Sequence, residues 1–371
     1  MTTILTRHTT EPTLEIDLSS IAANTQRLAR AATGSVMAVV KADGFGHGLA
    51  DVARTALANG ATWLGATSLA EAIAIREAEL SAPVLSWLNP VDADAWTAAR
   101  HRIDLAVPSV RHLDAFVEAA AGHPLRVHLH LDTGMARDGA APCEWLDLVT
   151  AARRAELAGT AQVVGLMGHL AWSNEPGHPA NAAGRQALLH GAELAARAGL
   201  RPSVRHLAAT AATLTDPSTH FDLVRVGAGL VGIDPSGRTR LRSALRLTAP
   251  VVQVRSVPAG VGVGYGHRHV TDRATTLALL PVGYADGLPR AASSRAEVVV
   301  AGRRRRVTGM TSMDQVVVDL GDDLVEPGTE AILFGPGDDG EPTVADWARW
   351  AGTIPHEIVT GIGARVRRSI R

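Results

Sequence analysis

The chain has 371 residues, more than one ordinary core usually carries, so one large and one smaller domain are expected. Apolar residues make up 46% and charged residues 20%, which excludes a wholly disordered chain. A formal net charge of -1 provides no overall basic field, so neither nucleic acid nor an anionic membrane is an expected partner.

The polar start MTTILTRHTTEPT lacks the apolar core of a signal peptide. The single cysteine, Cys143, cannot make an internal disulfide, which fits a reducing compartment. No stretch approaches the ~18 apolar residues of a membrane span. The expected location is the cytoplasm.

Short apolar runs then alternate with longer amphipathic ones. In chain order the runs are VMAVV (36–40), TWLGA (62–66), PVLSW (83–87), IDLAV (103–107), LRVHLHL (125–131), VVGLMG (163–168), SVRHL (203–207) and LVRVG (223–227). Runs of this length rich in Val, Ile and Leu read as buried parallel strands. Helix signals lie between them. Ser19 is a candidate cap for SSIAANTQRLARAA, and Ser68 for SLAEAIAIREAE with Glu71 closing a capping box. Eight strand–helix units over residues 13–240 predict a (β/α)8 barrel, with a doubly wound open sheet as the rival.

Beyond about Ser243 the runs crowd together: APVVQVRSV, TTLALLPVGY, RAEVVVAG, MDQVVVDL and TEAILFG, separated by turn signals. Residues 241–371 therefore read as a mainly antiparallel β domain with one short helix near TVADWARWAG. Residues 1–12 are a candidate further strand of that domain.

Chemistry in such a barrel sits where the strands end. The first predicted strand ends in Lys41, a buried position for a charge unless covalent attachment to an aldehyde removes it. A lysine that merely reaches out of the barrel mouth is the plainer reading. Other strand ends carry Asp132 to Arg137, His169, His206 with Thr210, and Arg225 with the loop Gly227-Ala228-Gly229. Amides of a glycine-rich loop after the last strands are the usual phosphate cradle of this fold. A lysine, an arginine and a phosphate site on one face suit a phosphorylated aldehyde cofactor.

VVKADGFGHG, HLDTGMAR, GLMGHLAWSNE, DLVRVGAGLVGI, VGYG, PVGYADGLPR, SMDQ and GTIPHEIVTGIGARV resemble, in this order, the motifs of the alanine racemase family. The resemblance runs from about residue 13 to the C-terminus. It implies pyridoxal phosphate as cofactor, a small amino acid as substrate, and a homodimer with shared active sites. Lys41 would hold the cofactor and act on one face of the substrate α-carbon. Tyr265, from the partner subunit, would act on the other, supported by His169 and Arg225. Arg225 would face the pyridine nitrogen; because a guanidinium only donates, that nitrogen would stay unprotonated. Arg137 would contact the cofactor ring oxygen. Thr210 with the amides of Gly227 and Ala228 would hold the phosphate. Met313 and Arg137 would receive the substrate carboxylate, and Tyr284 and Arg290 would line the entrance. The reaction implied is interconversion of L- and D-alanine, in the service of peptidoglycan precursors.

The chain departs from the family at named positions. Phe45 and His356 stand where tyrosines usually serve the phosphate, and Phe45 cannot donate a hydrogen bond. His130 stands where many members carry a lysine, often carbamylated; a bound anion or a reoriented Arg137 is expected there. Met310 and Asn174 replace an arginine and an aspartate at the entrance. These changes leave open a larger amino acid such as serine, a decarboxylation on the same fold, or an inactive cofactor-binding relative.

Other signals are weighed against these. His128, His130, His169 and His206 with Asp132 could form the zinc site of a barrel hydrolase, which would leave Lys41 and Arg225 unexplained; an outward direction for both strand-five histidines would also count against it. The run Arg303 to Arg306 reads as a solvated rim at a hairpin, and Cys143 as inert. GVGVGYG does not lie between a strand and a helix, so it is no dinucleotide loop.

Overall fold

The computed structural model describes residues 10–371. The chain divides into two compact units. One is Ile21–Leu241; the other is Arg242–Arg371 together with the described residues up to Ser20.

The first strand, β1 (Thr13–Ile16), belongs to the second unit and not to the barrel expected to begin there. It pairs antiparallel with Leu245–Thr248 and parallel with Arg367–Ile370. Its sequence, TLEI, is too short and too polar to reveal its partners. Of the candidate strand at residues 1–12, residues 1–9 lie outside the described residues, and the remainder is not in a strand. Ser19 does not cap the following helix (Leu18–Ala31) but lies inside it. Asp17 Oδ1 instead accepts the amides of Ser19 at 2.9 Å and Ser20 at 3.3 Å.

In the first unit eight parallel strands follow: β2 (Ser35–Val39), β3 (Trp63–Ala66), β4 (Val84–Ser86), β5 (Ile103–Val107), β6 (Leu125–His130), β7 (Ala161–Met167), β8 (Val204–His206) and β9 (Leu223–Val226). Neighbours in sequence pair as far as β8, and β9 returns to pair with β2. Between β8 and β9 the ring closes through a bridge at Ala209 and Arg225, with the Asp222 amide on the Arg205 carbonyl at 3.1 Å. The (β/α)8 barrel is thus formed, and the open sheet is excluded. β5 is buried at every position, as a strand covered on both faces must be. Ser68 caps Leu69–Glu77, and Glu71 closes the capping box.

The second unit is built on a nine-stranded sheet. Its further strands are β10 (Leu245–Pro250), β11 (Gln253–Val257), β12 (Gly262–Val263), β13 (His269–Val270), β14 (Thr275–Leu280), β15 (Glu297–Val300), β16 (Arg303–Thr308), β17 (Val316–Gly321), β18 (Glu330–Phe334) and β19 (Arg367–Ile370). The order is β11-β14-β17-β16-β15-β18-β10-β1-β19, antiparallel except for β1 with β19, while β12 and β13 pair apart from it. The run APVVQVRSV makes two strands, not one; Pro250, with no amide to donate, ends the first. The arginine run forms strand β16, with Arg303, Arg304 and Arg306 exposed. The short helix is Val344–Ala351, capped by Thr343 and Asp346. Among the described residues no helix is long and apolar enough to cross a membrane.

Candidate active site

β2 ends at Val39, two residues short of Lys41. Lys41 opens a turn in which Ala42, Asp43, Gly44 and Phe45 have φ of 52°, 53°, 60° and 57°. This is a left-handed turn, costing L-residues about 1–2 kcal/mol each, and the sequence reading did not foresee it. Two side chains hold it, one from outside the turn and one from within. Glu71 Oε1 accepts the Ala42 amide at 2.7 Å, and Asp43 Oδ1 accepts the Leu49 amide at 2.8 Å. Gly44 is required, since a Cβ there would stand 2.9 Å from Val52 Cγ2. Burial, then the charge of Arg137, lowers the Lys41 pKa below the ordinary lysine value, against the opposing pull of Glu71. A lysine so placed is more readily the neutral nucleophile that attacks a carbonyl.

Arg225, on β9, is 5% exposed. Nη1 donates to His206 Nδ1 at 2.9 Å and to the His206 carbonyl at 3.0 Å. Nη2 donates to the carbonyls of Gly168 at 2.7 Å and Leu207 at 3.2 Å, and lies 3.2 Å from His169 Nδ1. Burial brings its pKa down to about 10, which leaves it a cation at neutral pH. None of these partners is a carboxylate, and none uses Nε.

His169 follows β7. Arginine can only donate, so His169 Nδ1 accepts and the ring proton sits on Nε2. Burial, then the charges of Arg225 and Arg137, holds its pKa at about 3, so the ring is neutral. Thr133 clamps its backbone: the hydroxyl donates to the His169 carbonyl at 2.7 Å and accepts the His169 amide at 3.0 Å. Sequence reasoning missed Thr133, although it lies within HLDTGMAR.

Thr210 Oγ1 accepts the amides of Gly227 at 3.4 Å and Gly229 at 3.1 Å. The Thr210 hydroxyl proton and the Ala228 amide are used in none of these bonds. Phe45 is buried with its ring against Gly227, where a Cβ would meet Cε2 at 2.7 Å. Gly227 therefore admits no side chain beside Phe45. Arg137 is exposed on a loop held by Asp132, whose Oδ1 accepts the amides of Gly134 and Met135 at 2.9 Å each.

At His130 the chain itself supplies a negative charge. Asp138 Oδ2 lies 3.4 Å from His130 Nδ1, and the closeness of His130 leads the causes that hold the Asp138 carboxyl below the usual range. Asn174 is exposed in the segment after β7. Of the metal-site histidines, His128 points inward, contrary to the outward direction considered for it, and bonds directly to His206 at 2.8 Å.

The second unit assembles the other candidates. Tyr265 follows Gly264 and is 72% exposed. Gly264 faces the backbone of Met310: a Cβ there would lie 3.6 Å from its nitrogen. The Tyr284 and Ala285 amides donate to the carbonyls of Ser312 at 3.0 Å and Met313 at 2.9 Å, so Tyr284 and Met313 lie side by side. Gly283 has no alternative, because a Cβ would stand 2.3 Å from the Met313 oxygen. Arg290 is exposed at the turn that follows. His356 lies on the helix Pro355–Gly361, whose last residue packs on Gly287, next to the Tyr284 turn.

The comparisons with known proteins agree over nearly the whole chain. Residues 16–235 match the family model "Alanine racemase, N-terminal domain", and residues 244–370 match "Alanine racemase, C-terminal domain". The chain is 49% identical to the alanine racemase of Thermobifida fusca, over 95% of this chain and 96% of the relative. It is similar to the solved structure of alanine racemase from Streptomyces coelicolor A3(2), with 47% identity, a TM-score of 0.95, and coverage of 97% of this chain and 98% of that one. The structure of alanine racemase from D-cycloserine-producing Streptomyces lavendulae has 44% identity and a TM-score of 0.95, covering 98% and 97%.

Proposed function

The chain belongs to the alanine racemase family, and on that footing we propose that it interconverts L- and D-alanine with bound pyridoxal phosphate. The observation that carries the reading is Arg225. It is a buried cation with no carboxylate among its partners, and its Nε proton takes part in none of its bonds. A donor that cannot give up its proton suits a pyridine nitrogen and keeps it unprotonated. The other residues fit the same group. Lys41, with its lowered pKa, supplies the amine for the aldehyde carbon. Thr210 and Ala228 have donors left for a phosphate. When bound, the cofactor supplies an electron sink for the pair left at the α-carbon.

Racemisation needs two acid/base groups, because the proton leaves one face and returns on the other. Lys41 Nζ serves one face. Tyr265, from a second copy of the chain, serves the other, with the His169 Nε2 proton donated to its phenolic oxygen. Such a bond stabilises the phenolate over the phenol. The substrate carboxylate is received by Arg137 and the Met313 backbone, and Tyr284, Arg290, Met310 and Asn174 line the entrance. His356 takes the place of a phosphate-binding phenol.

The test is α-proton exchange. Protein with added pyridoxal phosphate is incubated with L-alanine in D2O, the α-proton signal is followed by NMR, and the product is resolved by chiral analysis. Loss of the signal together with D-alanine supports the proposal. Exchange with another amino acid only keeps the two-base mechanism and moves the substrate. No exchange with any amino acid overturns it.

A further inference from the structure

Arg225 is the upper end of a line of hydrogen bonds that runs down the inside of the barrel. Below it, His206 Nε2 lies 2.8 Å from His128 Nδ1, the two rings meeting edge to face. His128 Nε2 lies 3.3 Å from Asp104 Oδ2. Arg126 closes the line, with Nε on Asp104 Oδ1 at 2.7 Å and Nη2 on Oδ2 at 3.2 Å. His128, His206 and Asp104 are each no more than 1% exposed. Asp104 and Arg126 are the second residues of β5 and β6, so the line ends near the strand starts, on the face opposite the barrel mouth. There Asp104, Arg126, Arg76, Arg100 and Arg102 line a cavity of about 580 Å³.

The two ends dictate the protons between them. Arg225 and Arg126 can only donate, and an ionised Asp104 can only accept. His206 Nδ1 must then accept from Arg225, which places its proton on Nε2. That proton is donated to His128 Nδ1, and His128 in turn donates from Nε2 to Asp104. An additional proton on either imidazole sets donor against donor at one contact. Burial alone would raise the Asp104 carboxyl, but the bonds from His128 and Arg126 outweigh it and hold the group ionised.

We propose that Asp104 is a positioning residue for the site at the barrel mouth: through His128 it fixes the tautomer of His206, which then offers Arg225 a bare Nδ1. The proton arrangement follows from the hydrogen bonds alone. Its effect on turnover rests on the function proposed above.

Asp104→Asn tests it through the direction of donation. Arg126 Nε, the closer of its two donors at 2.7 Å, holds the amide oxygen at the Oδ1 position, which leaves the NH2 at the Oδ2 position, displacing Arg126 Nη2 and facing His128 Nε2. Both imidazoles must then reverse, and His206 presents a proton to Arg225. Removing that hold by adding Arg126→Leu lets the amide turn over and restores the original tautomers. The readout is long-range 1H–15N NMR of histidine-labelled protein, with the rings assigned from His128→Gln and His206→Gln. In the unmodified protein both rings are expected to be protonated on Nε2 alone. Asp104→Asn reverses His206, and Asp104→Asn with Arg126→Leu returns it. Racemisation of alanine should fall by up to about 100-fold in kcat in the single variant, as for a misplaced site group, with KM little changed and recovery in the double variant.

A proton on Nδ1 of either histidine in the unmodified protein overturns the proposal, and this result needs no variant to fold. A slow single variant whose tautomers are unaltered also overturns it. Tautomers as stated, in a protein that racemises nothing, leave this arrangement standing and remove the function proposed above.

Discussion

Gly165 on β7 leaves so little room beside His128 on β6 that a Cβ there would stand 2.3 Å from the ring nitrogen Nδ1. The ring has no alternative place, because Trp63 meets it edge to face on one side and His206 on another. Gly165→Ala is therefore expected to destabilise the barrel by about 1–3 kcal/mol, as overpacking of a closed core does. Urea unfolding monitored by tryptophan fluorescence measures this. A midpoint unchanged from the parent would show that the ring can move aside.

Stability should fall as the solution is acidified from neutral. His169 and His206 are held neutral in the folded chain by burial first and by the charge of Arg225 second, His169 with a pKa of about 3. Unfolded, each takes up a proton near pH 6.5. The unfolded state therefore binds more protons below that pH, and each histidine removes up to about 1.4 kcal/mol per pH unit as pH falls toward the folded value. His112 and His220 act in the same direction. Between pH 6.5 and 5 the carboxylates remain ionised in both states, so the histidines set the slope. Urea titrations across that window should show it, and His206→Gln should reduce it by up to about 1.4 kcal/mol per pH unit. A flat profile would mean that these rings are protonated in the fold.

Phe45 has no donor where its ring lies on Gly227. Phe45→Tyr adds a hydroxyl at the tip of that ring. Cofactor retention is expected to tighten by about 1.5–3 kcal/mol, the worth of a hydrogen bond to a charged group. Equilibrium dialysis against pyridoxal phosphate, read by visible absorbance, measures it. Equal dissociation constants would show that Thr210 and the loop amides already satisfy the phosphate.

Tyr265 is 72% exposed on its own unit. If a second copy receives it, Lys41→Ala and Tyr265→Phe chains should each be inactive alone. Mixed and allowed to exchange subunits, they should recover up to about a quarter of the parent rate, through dimers with one intact site. Proven heterodimers without activity would place both groups in one chain.

The barrel was readable because each strand is an apolar run covered on both faces, and IDLAV became β5 without a residue to spare. Lys41, His169 and Thr210 could be named because they follow or end such runs, and Arg225 because it is a charge set inside one. The line from Arg225 to Asp104 could not. Its members lie 19, 78 and 24 residues apart in sequence. Asp138 was missed because its place beside His130 depends on a loop, not on a period. The left-handed turn after Lys41 lay hidden in ADGFG, where only the glycines hint at positive φ and Ala42, Asp43 and Phe45 adopt it as well.

The pairing of β1 with both β10 and β19 orders events on the ribosome. Thr13–Ile16 leaves the exit tunnel before any barrel strand, yet its parallel neighbour Arg367–Ile370 is made only after all of them. The eight barrel strands emerge in between and have all their partners before the β1 edge is covered on both sides. β1 thus has no partner until β10 is made and keeps one edge open until β19 follows, and a chain stopped short of β19 would keep that edge bare. Such an edge is a template for pairing with another molecule, so truncated products of this chain should aggregate even though their barrel segment is complete.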